Sequence, residues 1–117
     1  MTHEEKKVAK IVEELTVFFF AIGADEMESG IKRDGNLVTI TFEANYLPEY
    51  EHKIHSLEKY LNEPKNEGIE DIYWELAGSG DPGETSQLLL IGMMIDTAEI
   101  LHGENRVKVI LTKELLD

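Results

Sequence analysis

The chain has 117 residues, 24 acidic and 11 basic side chains, a formal net charge of −13 and no cysteine. The length suits one domain, predicted over 1–117, with room for a single hydrophobic core. The missing cysteine excludes disulfides, thiolate metal sites and cysteine nucleophiles. The excess of acid repels nucleic-acid phosphates and anionic membrane surfaces, so we expect neither nucleic acid nor membrane as a partner.

The composition also predicts a cytoplasmic protein. The longest apolar run covers 88–95 and is too short to cross a bilayer, and the charged N-terminal segment lacks the apolar centre of a secretory signal. Lysine and glutamate dominate the charged residues, and glutamine occurs once, at Gln87. That pattern is compatible with a thermophilic source.

A helix is the first predicted element. Thr2 and Glu5 have the spacing of a capping box, in which each side chain accepts a hydrogen bond from the backbone of the other residue. Apolar residues recur at helical spacing as far as Ile22, and Gly23 is a natural C-terminal stop. Because its apolar residues form one face, this helix is expected to cover another layer.

A β-hairpin is predicted next, with its turn at Asp34-Gly35. This pair favours a type I′ turn, because both residues tolerate positive φ. In the second arm Val38, Ile40 and Phe42 alternate with threonines, which is the pattern of a half-buried strand. The remaining predicted elements are a helix from Pro48 to Leu61, a strand over 69–77, a helix from about Pro82 to His102 and a strand over 106–112.

The predicted order is therefore α-β-β-α-β-α-β in a single α+β domain. Each element has an apolar face to cover, so two layers are expected, a four-stranded sheet and three helices. The hairpin must be antiparallel. The passage from the third strand through a long helix to the fourth strand fits a right-handed parallel crossover. Together these expectations predict a mixed sheet.

The stretch GSGDPGET, residues 78–85, has the spacing of a phosphate-binding P-loop, G-x-x-x-x-G-K-[ST]. It lies between a predicted strand and a predicted helix, which is the context of that motif. Gly78, Gly80, Gly83 and Thr85 are the candidate ligand-binding residues. Glu84 stands where the motif has its lysine, so a repulsion replaces the strongest attraction for phosphate.

Helix capping explains the same residues without a ligand. Asp81 is a good N-cap, Pro82 suits the first helical position, and Glu84 completes a capping box. We therefore expect this loop mainly to start the third helix, and the sequence assigns no cofactor.

The third helix is the most unusual predicted element, because residues 88–95 leave it almost no polar side. A helix that is apolar all round must be covered all round. Either it is a central core helix within one chain, or Met93, Met94 and their apolar neighbours face a partner or a second copy. The sequence leaves both alternatives open.

No catalytic residue and no metal site is predicted. His52 and His55 lie three residues apart on the second helix, with Glu51 and Glu58 nearby, but a metal site there needs ligands from elsewhere in the chain. His102 stands at the predicted end of the third helix, where a C-terminal capping role suffices.

The favoured function is a non-enzymatic protein-interaction or adaptor module that acts as a homodimer through Met93, Met94 and neighbouring residues. The alternative is a small enzyme or phosphate- or nucleotide-binding protein that uses the loop from Gly78 to Thr85 with a divalent metal. A chaperone-like adaptor is a third possibility, on the small size, the acidity and the helix-then-hairpin start.

Overall fold

The first helix, α1, covers His3–Ala21 and begins with the predicted capping box. The computed structural model describes residues 1–62 and 83–116. The Thr2 hydroxyl accepts a hydrogen bond from the Glu5 amide at 3.1 Å, and the Glu5 carboxylate accepts one from the Thr2 amide at 2.8 Å. Gly23, just beyond the helix, has a φ of +87° and lets the chain turn away.

The predicted hairpin consists of β1, Met27–Asp34, and β2, Leu37–Asn45. Its turn lies one residue further along than predicted, with Gly35 and Asn36 as the central pair. Gly35 has a φ of +62°, whereas Asn36 keeps a negative φ. This is the pattern of a type II′ turn instead of type I′, and it needs glycine only at the first central position.

Two further helices of the described residues belong to the helical layer. A 3₁₀ turn, Pro48–Tyr50, leads into α2, Glu51–Leu61, and α3 covers Gly83–Met94. α3 packs against both α1 and α2, while α1 packs on β2. The start of α3 agrees with the helix predicted from about Pro82.

The predicted end of this helix is wrong. It ends at Met94, and the residues expected to continue it form β3, Thr97–Gly103. The segment Thr97 to His102 alternates side chains between two faces, which is the period of a strand and not of the predicted helix. His102 is therefore a strand residue and not a helix cap. The fourth predicted strand is confirmed as β4, Arg106–Glu114.

Contacts around Asp96 explain why the helix stops where it does. The Asp96 amide donates a hydrogen bond to the carbonyl of Thr112 at 2.8 Å, and the Asp96 carboxylate accepts one from the amide of Glu114 at 2.6 Å. The chain is thus already paired with β4 before β3 begins, and pairing with β4 replaces helical hydrogen bonds.

The sheet is antiparallel throughout, with the strand order β1-β2-β4-β3. The predicted mixed sheet, the parallel crossover and the predicted element order are therefore wrong. β3 and β4 follow α3 as a hairpin whose turn holds Asn105 at a φ of +56°, and a turn this short can join only antiparallel strands. The strand predicted over 69–77 lies outside the described residues. Within the described residues, the α+β arrangement with four strands and three helices is confirmed.

The helices cover one face of the sheet, because every second side chain of β2 and β4 is buried and the alternate ones are partly exposed. One hydrophobic cluster joins the two layers. Its largest fully buried side chains are Phe19, Phe42, Ile11, Leu15, Ile22, Ile40, Ile54, Leu57, Leu88, Ile91, Ile95 and Leu111. In the described part of the chain, no helix combines the length and the hydropathy needed to cross a bilayer.

Candidate functional site

The residues of the predicted phosphate loop fall mostly outside what the structure describes. Gly78 and Gly80 lie beyond the described residues, as does the proposed N-cap Asp81. Gly83 is the first residue of α3 and Thr85 lies in its first turn. The structure therefore gives the position of the helix start but does not bring the four candidate residues together as a site.

The apolar surface of α3 is largely covered within the chain. Leu88 and Ile91 are fully buried in the core shared with the sheet, as is Ile95 just beyond the end of the helix. Met93 and Met94 are partly buried, and Met94 packs against that core. The burial of this helix favours the core-helix alternative and leaves Met93 as a small part of the molecular surface.

Gly92 permits the close packing that covers α3. A β-carbon at this position would stand 2.7 Å from the carbonyl oxygen of Tyr60 in α2. Main-chain atoms cannot move aside as a flexible side chain can, so the small residue fixes the distance between the two helices.

An ion pair between the buried Lys113 and the partly buried Glu4 connects α1, α3 and β4. The ammonium group of Lys113 lies 2.8 Å from the Glu4 carboxylate and donates a hydrogen bond to the carbonyl of Met94 at 2.8 Å. Glu4 also pairs with Lys7 at 2.9 Å. The hydrogen bonds from Lys113 and then Lys7 lower the pKa of Glu4 from its ordinary value of 4.5 to about 2. Each oxygen of the Glu4 carboxylate thus has a lysine partner, Lys7 at Oε1 and Lys113 at Oε2.

Glu14 is a buried carboxylate on the face of α1 next to the core. One of its oxygens accepts a hydrogen bond from Lys10 at 2.9 Å, and this bond is the main cause of the raised pKa of Lys10. The other oxygen, Oε2, is buried without a hydrogen-bond partner among the described residues. Such a group costs stability, because it has lost water without gaining a partner.

The structure brings together histidines that the sequence analysis treated separately. The rings of His55 in α2 and His102 in β3 stack with centroids 5.9 Å apart, and His102 Nε2 lies 3.3 Å from Glu58 Oε2. These side chains are at the surface, and no group of three or more potential ligands in the described residues is arranged to hold a metal ion. The contact attaches α2 to β3.

Among the described strands, β1 is the most exposed. Seven of its eight residues are exposed, because the helices cover β2 and β4 but leave this edge bare. On the helix side an apolar groove with a volume of about 280 Å³ runs beside the strand. The groove is lined by Met1, Glu5, Val8, Ile31, Arg33, Val38 and Leu115.

Two large apolar side chains that line this groove face solvent. Ile31 is 57% exposed and Met1 is 86% exposed. Arg33 crosses the groove to Glu5, with its guanidinium 2.8 Å from the carboxylate. We call this set of β1 and its groove the β1 surface. No motif in the sequence predicts this surface, although a strand with only two apolar residues, Met27 and Ile31, is a signal of an edge.

No protein-family model, no curated protein and no solved structure matches this chain. The function is therefore inferred from its geometry alone.

Proposed function

We propose that this chain is a non-enzymatic protein-interaction module that acts as a homodimer. The observation that carries the proposal is the β1 surface, where an uncovered strand borders an apolar groove. Exposed apolar side chains that cluster in this way are typical of contact sites, because water is released when a partner covers them. We also propose a cytoplasmic location, on the charged and cysteine-free composition.

The sequence alone predicts that Met93 and Met94 form the contact surface, whereas we propose the β1 surface for this role. Both methionines lie on a helix that the chain itself largely buries, so they offer less free surface than β1. They stay the alternative contact region. If they form it, Met93→Lys weakens self-association and changes at β1 do not.

Sedimentation equilibrium over a wide concentration range tests the proposal. We expect a reversible dimer, and Ile31→Ser weakens it because the exposed isoleucine is then lost from the contact. Leu101→Ser is the matched control, since Leu101 is 47% exposed on the opposite edge strand, β3. A wild-type chain that stays monomeric at all concentrations overturns the homodimer.

The alternative function is that of a small enzyme or a phosphate- or nucleotide-binding protein, which would hold its ligand at residues 78–85 with a divalent metal. Its support is the position of the helix N-terminus, since α3 begins at Gly83 and helix N-termini attract anions. Thermal unfolding with Mg²⁺ and a nucleoside triphosphate decides between them. A ligand that binds only the folded chain raises the melting temperature, and no change speaks against the alternative.

A further inference from the structure

Among the described strands, only β2 pairs with β1, and the other edge of β1 is unpaired along its whole length. It pairs with β2 on one side, from Met27 opposite Ala44 to Asp34 opposite Leu37, and no other described strand pairs with it. Its outward backbone N–H and C=O groups therefore have no strand partner in the described part of the chain, and another strand could pair with them. Sheet edges are the usual template for strand addition between chains.

The second edge of the sheet is less suited to this role. β3 is approached by α2, whose Glu58 contacts His102. It also carries one acidic residue, Glu99, and no lysine or arginine. Two copies of β3 would therefore meet with unbalanced negative charge.

The charge on β1 is balanced in a chain that is otherwise strongly acidic. Its eight residues include two acids, Glu28 and Asp34, and two bases, Lys32 and Arg33. Two copies of a chain with a net charge of −13 repel each other at a distance, so they can meet only where the local charge is neutral or complementary. β1 offers such a stretch.

We propose that β1 pairs antiparallel with β1 of a second copy, in the register centred on Gly30; this inference rests on the proposed function and names its contact. A two-fold axis perpendicular to the sheet keeps both helical layers on the same side. Residues that meet across the axis then share a face of the sheet, as neighbouring strands require.

The charges select this register. Centring on Gly30 sets Glu28 opposite Lys32 of the partner subunit, twice in each dimer, on the face away from the helices. Centring one residue later, on Ile31, gives the same overlap but sets Glu28 opposite the partner subunit's Asp34. Opposite charges directly across two strands stabilise the pair and like charges destabilise it.

Contacts inside one chain give Glu28 a further reason to pair with a second copy. Within the sheet its cross-strand neighbour is Glu43, another carboxylate. Glu43 has Lys108 at 3.5 Å, whereas neither Glu28 nor Lys32 has an ion pair with a described residue. The partner subunit's Lys32 would offset the repulsion at Glu28.

The apolar groove follows the same symmetry. In this register Ile31 of each copy lies on the helix side near the axis, diagonally across from its counterpart. The groove beside Val8 and Val38 then continues into the groove of the second copy, so Ile31 loses its exposure to water. Burial of apolar surface supplies affinity, while the charge pairs fix the register.

Charge reversal tests the register directly. Glu28→Lys alone sets lysine opposite lysine, and Lys32→Glu alone sets glutamate opposite glutamate, so each single variant should dimerise at least about tenfold more weakly. An equimolar mixture of the two variants should form a heterodimer, because both cross-strand pairs are then opposite in sign. The double variant E28K/K32E should regain the wild-type dissociation constant to within about threefold.

Native mass spectrometry identifies the heterodimer by mass, and sedimentation equilibrium gives the constants. Glu99→Lys and Lys6→Glu make the same changes in net charge away from β1 and should leave the dimer unchanged, apart from general repulsion. Circular dichroism checks that each variant is folded.

Two results overturn the proposal, and they differ in their meaning. If the single charge reversals do not weaken the dimer, or if mixing the two variants does not restore dimerisation, the contact lies elsewhere. The homodimer itself is then not contradicted. A wild-type chain that is monomeric at all concentrations removes both the register and the homodimer.

Discussion

The ammonium group of Lys113, on β4, lies 2.8 Å from the carboxylate of Glu4, in the first turn of α1. The lysine side chain is only 8% exposed, and it is also bonded to the end of α3 through the Met94 carbonyl. Three elements that are distant in the chain thus meet at one buried charge. The two members of this ion pair are not equivalent, because Glu4 still pairs with Lys7 when Lys113 is removed.

We expect Glu4→Gln to destabilise the fold more than Lys113→Met. The first change leaves the Lys113 charge buried without a counter-ion and should lower the free energy of unfolding by about 2–4 kcal/mol. The second removes the buried charge and should change it by less than about 1 kcal/mol. Urea unfolding at pH 7 measures both. Glu13→Gln, at an exposed ion pair with Lys10, is the control and should be nearly neutral; equal losses at Glu4 and Lys113 would contradict the assignment.

The same ion pair predicts how stability depends on acid. The pKa of Glu4 is about 2 in the folded chain against 4.5 ordinarily, so its stabilisation is fully present above pH 4.5 and is lost as the pH falls towards 2. The loss attributable to this group should be about 2 kcal/mol. The measurement is urea unfolding at several pH values for wild type and Glu4→Gln. Their curves should converge in acid, and a constant difference down to pH 2 would rule out this linkage.

Gly92→Ala should destabilise the protein although alanine is the better helix former. The added β-carbon meets the Tyr60 carbonyl oxygen at 2.7 Å and forces α2 and α3 apart. We expect a loss of about 1–3 kcal/mol, larger than the gain of about 1 kcal/mol from helix propensity. Gly103→Ala is the control, because its nearest heavy atom is at 3.7 Å. Thermal unfolding of the two variants separates the effects, and a more stable Gly92→Ala would disprove the close contact.

Glu14→Leu should stabilise the protein by about 1 kcal/mol. The change removes a buried carboxylate with one unpartnered oxygen and adds apolar surface to the core. Lys10, whose side chain is 45% exposed, loses little because water can replace its partner. Chemical unfolding checks the direction, with Glu13→Leu as the exposed comparison on the same helix. A clear loss of stability would mean that the carboxylate has a partner beyond the described residues.

Phe19 and Phe20 offer a matched pair on α1. Phe19 is fully buried and stacks on Phe42 with ring centroids 5.3 Å apart, whereas Phe20 is 64% exposed. Phe19→Ala should cost about 3–5 kcal/mol, and Phe20→Ala well under 1 kcal/mol. Unfolding in urea measures the difference. Phe20→Ala should also leave the dissociation constant of the dimer unchanged. A weaker dimer would indicate that the contact lies on this side of α1 and not at β1.

Local signals in the sequence predict the first half of the fold well. The cap at Thr2, the apolar spacing of α1 and the glycine turn of the first hairpin each depend on neighbouring residues. The second half depends on contacts over long range. Thr97 to His102 is a strand because β4 lies beside it, and the apolar run before it had favoured a longer helix.

The candidate site was less predictable than the fold. Period-two alternation places side chains on faces, but it does not tell which strand is at an edge or which strand the helices leave bare. That arrangement fixes the exposure of Ile31 and the free edge of β1. The contact of His102 with Glu58 likewise follows from the position of β3 under α2, which no local pattern contains.

The central place of β4 in the sheet has a consequence during synthesis. β4 is the last of the described strands to leave the ribosome, yet it lies between β2 and β3 and pairs with both. Until β4 emerges, β2 is paired along one edge only, with β1, and β3 has no partner in this sheet. A nascent chain without β4 should therefore remain open and bind general chaperones, and the fold should close only in the final step of translation of this segment.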